Sequence, residues 1–157
     1  MEWMLLPYKR YFDFKGRSRR KEYWLFMLFN LIVAGVFLGP IYVSILSAAF
    51  NAAGKDPQIA QAAMADAFTP GIIAMAVIGG LFMLVSFIPN IAVTIRRLHD
   101  RDMSGWWYLG YIVSAMIPLI NLIAFIAGLV LMCLEGTRGP NRFGSDPLDP
   151  TSAGVFD

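Results

Sequence analysis

Two uninterrupted apolar runs constrain this chain more than any other feature. Gly71 to Ile95 (25 residues) and Trp106 to Leu134 (29 residues) contain no Asp, Glu, Lys or Arg, and only the ten residues Arg96 to Gly105 separate them. A third charge-free run, Trp24 to Leu46, adds 23 residues. A helix needs about 20 mostly apolar residues to cross a hydrocarbon core, and all three runs meet that length. Their apolar character is continuous, whereas a membrane barrel is built from short segments of alternating polarity. The predicted class is therefore an all-α integral membrane protein: a small helical bundle with two full transmembrane helices and a third apolar segment.

Composition agrees. Hydrophobic residues make up 57% of the 157 and charged residues only 15%, against about 25% charged in an average soluble domain. A soluble, basic nucleic-acid binder is excluded, because the apolar runs would have no water-compatible home. The single cysteine, Cys133, cannot form an intrachain disulfide and reads as a small buried hydrophobe.

Charge asymmetry sets the expected orientation. Seven of the 13 basic residues fall between Lys9 and Lys21, while Lys55 is the lone basic residue from Ser47 to Thr69. Basic residues stay on the cytoplasmic side, so the N-terminus is expected inside and residues 47–69 outside. One membrane domain follows over 1–150: a cytoplasmic interfacial segment (1–22), span 1 (24–46), an external connector (47–69), span 2 (71–95), a cytoplasmic loop (96–105), the third apolar segment (106–134) and a polar tail (135–150). The last residues, 151–157, are expected to be disordered. The first run is longer than a signal-peptide core of about 7–15 residues and reads as an uncleaved anchor.

Tyr23, Trp24, Trp106 and Trp107 stand at the ends of runs, where amphipathic rings anchor in the headgroup layer. Asp56-Pro57 reads as a helix start inside the connector. Gly79-Gly80 would let a neighbouring helix approach closely. Pro118 and Asn121 interrupt the third run near its middle, leaving two alternatives: one tilted, kinked span, or a hairpin of two short helices turning between them. The hairpin would keep Arg138 and Arg142 on the cytoplasmic side.

Three polar signatures flank the runs. They are Phe14 to Trp24 (FKGRSRRKEYW), Arg96 to Asp100 with Ser104 to Trp107 (RRLHD and SGWW), and Gly136 to Pro147 (GTRGPNRFGSDP). In this order, and covering nearly the whole chain, they resemble the bacterial inner-membrane family of domain of unknown function 805. The Ala-rich outer segment and the extra C-terminal residues depart from its pattern. The resemblance implies a small multi-pass inner-membrane protein and no particular activity.

Function must then come from the residues. Arg17, Arg20, Arg96, Arg97, Arg101 and Arg142 are expected to meet Asp13, Glu22, Asp100, Asp102 and Asp146, with His99 and Asn141 nearby, in one cytoplasmic polar cluster. Forked guanidinium–carboxylate bonds there would clamp the helix ends together. Alternatively, convergence of Arg96, Arg97 and Arg142 would make a pocket for an anionic headgroup. The polybasic Lys9 to Lys21 would hold anionic lipid either way. The expected work is that of a non-catalytic scaffold or accessory subunit binding anionic membrane lipid or a membrane protein partner, with a homo-oligomer also open. Transport by an oligomer is an alternative, although no ionisable residue lies inside a span. Catalysis would rest on His99-Asp100, which lacks a nucleophile in a recognisable setting. No cofactor and no metal site are expected, since one histidine offers no paired ligand spacing.

Overall fold

The computed structural model describes residues 2–149. Their regular structure is helical, in the order α1 (Glu2–Lys9), α2 (Arg20–Ala52), α3 (Pro57–Asp66), α4 (Pro70–Asp100), α5 (Trp106–Ala115) and α6 (Pro118–Cys133). One isolated bridge joins Asn141 and Gly144 in the tail. The disordered end expected at 151–157 lies outside the described residues.

At 33 and 31 residues, α2 and α4 are long and apolar enough to cross a hydrocarbon core. In their most apolar stretches only 6% and 11% of residues are buried. The core helix of a water-soluble fold buries that stretch; here Leu31, Leu46, Leu84 and Phe87 face outward. Cys133, read from the sequence as a buried hydrophobe, is exposed too.

Both long helices outrun the boundaries drawn from charge. α2 continues through Ala52 because Ser47 to Ala53 is Ala-rich and no breaker occurs before Gly54, so the connector is shorter than 47–69. α4 continues through Asp100, so Arg96 to Asp100 form its last turn and the loop shrinks from 96–105 to 101–105. Charged residues extend that helix because other segments satisfy their side chains.

Residues 106–133 form two helices. Ile117 is extended (φ −105°, ψ 111°), Pro118 opens α6, and the Asn121 amide donates to the Ala115 carbonyl at 3.0 Å across the break. A Cβ at Gly128 would lie 3.2 Å from the Tyr111 ring, so α6 passes close against α5. Of the two alternatives left by the sequence, the structure takes the hairpin.

Packing divides the chain into two compact units. In the first, Leu28–Phe87, Phe29 meets Phe82 edge-on with centroids 6.0 Å apart. Gly79 faces Leu38 so closely that a Cβ would come within 2.7 Å of its Cδ2, whereas Gly80 faces open space. The Ser44 hydroxyl donates to the Ala67 carbonyl at 2.8 Å. α3 starts as its sequence dictates, with the Asp56 carboxylate accepting from the Gln58 N–H at 3.0 Å and Pro57 at the first position. The second unit comprises the chain up to Met27 and from Ile88 onward, and it contains the polar signatures.

Candidate functional site

Three guanidiniums organise the second unit. Arg17, Arg96 and Arg97 are each at most 4% exposed, and each serves a different part of the chain. Neighbouring residues on a helix diverge by about 100°, so Arg96 and Arg97 leave α4 in different directions.

Arg96 turns to the N-terminal segment. Its Nε donates to the Ser18 hydroxyl at 2.9 Å and its Nη2 to Glu22 at 3.2 Å, while Nη1 reaches the carbonyls of Arg10 and Asp13. The Ser18 N–H returns a bond to the Arg96 carbonyl at 3.2 Å. The Glu22 partner is itself almost fully buried.

Arg97 turns to the end of α6. Nε and Nη2 donate to the Met132 carbonyl at 3.3 and 3.2 Å, and Nη2 also reaches the Leu134 carbonyl. The last carbonyls of a helix lack intrahelical partners and carry partial negative charge, so a cation there satisfies both bonding and dipole. Arg97 also pairs with Asp100, one turn further on the same face.

Arg17 turns to the tail. Its Nε donates to the other Asp100 oxygen at 3.0 Å, Nη1 to the Gly139 carbonyl at 2.7 Å and Nη2 to the Thr137 carbonyl at 2.5 Å. Thr137 and Asn141 bond in turn to the Asp100 and His99 carbonyls, at 2.8 and 2.9 Å. Asp100 thus ties three parts of the chain, with one oxygen on Arg17, the other on Arg97, and its carbonyl on the tail.

Gly136 sits so close to this carboxylate that any Cβ there would collide with it. Gly16, at φ +76°, makes the turn that brings its carbonyl to His99 Nδ1 at 3.2 Å. The His99 ring stacks flat on Phe143, with centroids 3.9 Å apart. His99 and Asp100 therefore do not act on one another. The carboxylate expected to orient the imidazole is engaged by two arginines instead.

Other expected members lie at the rim. Arg20 meets Glu135 and the Cys133 carbonyl, each at 3.2 Å; Arg101 donates to the Glu135 carbonyl; Arg142 pairs with Asp102 at 3.2 Å and lies over the Phe143 ring. Arg142 does not join Arg96 and Arg97, so those three form no common pocket. Tyr23 and Trp24 are half-buried and meet edge-on, while Trp106 and Trp107 are 78% and 63% exposed.

Two carboxylates outside the helices are held ionised. Asp146 accepts the N–H groups of Leu148 and Gly139 at 2.9 and 2.8 Å, which keeps its pKa below the usual carboxylate value. For Asp13, partial burial pushes upward but is outweighed by hydrogen bonds from Arg10 and the Lys15 N–H, so its pKa is also lowered. Both contributions are present above the ordinary carboxylate pKa and vanish as pH falls through the lowered one.

Sequence reasoning gathered the charges but missed several partners. Ser18, Gly136 and Thr137 matter here, as do the carbonyls at 132, 134, 137 and 139. The available signal was a small or hydroxylic residue set inside each charged signature. Burial also grades the arginines. Arg142→Ala should cost less than about 1 kcal/mol, since both partners of its ion pair are largely exposed. A thermal melt that drops as far for this variant as for a change at Asp100 would contradict that grading.

Comparisons with known proteins identify the family. The family model described as "Protein of unknown function (DUF805)" matches residues 11–145, which contain the first two signatures and all but the last two residues of the third. Inner membrane protein YhaH of Escherichia coli K12 is 35% identical over 151 residues, covering 96% of this chain and 100% of the relative. Inner membrane protein YhaI of the same strain is 33% identical over 147 residues, covering 94% and 96%. An uncharacterized protein of that strain, YiiR, is 30% identical over 158 residues and 88% of each chain. No solved structure matches significantly. With the family's match and these relatives spanning nearly its whole length, the chain belongs to the DUF805 family.

Proposed function

We propose that the protein is a multi-pass inner-membrane protein with both termini in the cytoplasm. In this reading α2 and α4 are the full spans, and the α5–α6 hairpin dips into the cytoplasmic leaflet. At 10 and 16 residues, its helices are shorter than the about 20 that an ordinary crossing takes. Its work is that of a scaffold or accessory subunit whose basic cytoplasmic face rests on anionic lipid.

The observation that carries the lipid reading is a division of labour among the cations. Arg17, Arg96 and Arg97 are buried and engaged, whereas Lys9, Lys15 and Lys21 are exposed and sit among the outward-facing Leu5, Phe12 and Phe14. Apolar rings interleaved with basic side chains suit the headgroup layer, where each cation contributes about 1 kcal/mol against an anionic leaflet.

Nanodiscs test this. The protein should melt higher in phosphatidylglycerol discs than in phosphatidylcholine discs at low salt. The gap should close in high salt, and in the combined Lys9→Gln, Lys15→Gln, Arg19→Gln, Lys21→Gln variant. Identical melting in the two lipids would refute the anionic-lipid role.

A further inference from the structure

Beside this polar knot of Arg17, Arg96, Arg97 and their partners, a cleft of about 410 Å³ opens between the start of α2 and the tail. Arg17, Arg19, Arg20, Lys21 and Arg138 supply five positive charges to its walls; Asp100, Glu135 and Asp146 supply three negative ones. Partners divide these groups sharply. Asp100 is engaged by Arg17 and Arg97, and Asp146 by two backbone N–H groups. Arg19 and Lys21 lie over the face of the Trp3 ring, at 5.3 and 6.0 Å from its centroid, which keeps both cations beside the opening.

Glu135 shows what the remaining cations accept. One of its oxygens lies 3.2 Å from Arg20 Nη2 and the other 3.8 Å from Arg138 Nη2, so a single carboxylate spans the two guanidiniums. That carboxylate is 66% exposed and Arg138 is 94% exposed, so the bridge is open to exchange with an anion from solution or from the membrane. A phosphate has the same forked complementarity to guanidinium and more charge to place beside Arg19 and Lys21.

We propose that this cleft is a phosphate-binding site, in which the phosphate of a lipid headgroup or of a soluble phosphate replaces Glu135 on Arg20 and Arg138. The proposal narrows the basic-face reading above, on which it rests, from a diffuse surface to a defined site.

The test compares cleft variants with an off-cleft variant, each loss scaled per charge removed. The cleft variant is the triple Arg19→Gln, Lys21→Gln, Arg138→Gln. Lys9→Gln with Lys15→Gln serves as the off-cleft control, and Glu135→Gln removes the internal competitor. In the lipid arm, native mass spectrometry reads phosphatidylglycerol against phosphatidylcholine retained from an equimolar mixture. In the soluble arm, inorganic phosphate is titrated into phosphatidylcholine nanodiscs and the melting temperature is followed.

Wild type should retain phosphatidylglycerol preferentially, or be stabilised by phosphate, according to the source. The cleft triple should weaken that response roughly a hundredfold, about fivefold per charge. Glu135→Gln should strengthen it, and the control should weaken it by clearly less per charge removed than the triple does. If Glu135 is merely a structural bridge, its replacement lowers the melting temperature and leaves anion binding unchanged, which overturns the proposal. Equal losses in the triple and the control, scaled per charge, would leave the basic face standing and remove the cleft. No anion preference in any variant would remove both.

Discussion

Asp100→Asn should destabilise the protein by about 3–5 kcal/mol, the largest loss expected for any single charge change in the chain. The variant keeps the shape of the side chain and removes its charge. Arg17 and Arg97, both almost fully buried, would then share no carboxylate, and an uncompensated buried cation is far more costly than a missing surface pair. The carbonyls of Met132, Leu134, Thr137 and Gly139 would still accept from them, so the arginines stay hydrogen-bonded while losing their counter-ion. Thermal melting in nanodiscs measures the loss. Adding Arg17→Gln to Asp100→Asn should recover part of it, because it removes one of the stranded charges. A melting shift no larger than that of Arg142→Ala would mean the knot does not hold this end of the protein together.

Gly136→Ala should have the second largest effect, and of a different kind. The added methyl meets the Asp100 carboxylate, which cannot swing aside without leaving Arg17 or Arg97, so the tail must lift instead. Overpacking of this sort costs about 1–3 kcal/mol. The loss should be local: trypsin should cut faster at Arg138 and Arg142 while the helical content is kept. Gly80→Ala is the matched control, since open space surrounds Gly80 and alanine favours a helix over glycine by up to about 1 kcal/mol. Equal tryptic rates for Gly136→Ala and wild type would show that the tail is not held through this contact.

The contrast between these sites and the apolar runs explains what could be read from the sequence. Run length and the absence of charge are additive properties of neighbouring residues, so α2 and α4 were legible in outline. The start of α3 was legible for a similar reason, because Asp56 and Pro57 act within one turn. The end of α4 was not. Arg96 to Asp100 looks like a surface loop until Ser18, Glu22, Met132 and Thr137 arrive to satisfy it, and those partners lie tens of residues away.

The arginines show the same limit. Charge density marked the cluster, yet it could not tell Arg97, which caps α6, from Arg142, which pairs at the surface with Asp102. Backbone carbonyls, the commonest acceptors in the knot, carry no signature in the sequence at all. His99 and Asp100 are adjacent in the sequence, which suggests a pair. On the helix, Asp100 falls to Arg17 and Arg97, and the imidazole turns to Gly16 and Phe143.

In the proposed topology, one polar knot joins the N-terminal segment, the end of α4 and the C-terminal tail on the cytoplasmic side of the membrane. The most direct measurement is the side on which the C-terminus emerges, read with paired fusions of a cytoplasm-active fluorescent reporter and a periplasm-active phosphatase. The account predicts a fluorescent fusion and an inactive phosphatase. An active phosphatase at the C-terminus, with the N-terminus inside, would separate Arg17 from Thr137 and Gly139 by the thickness of the bilayer and contradict it.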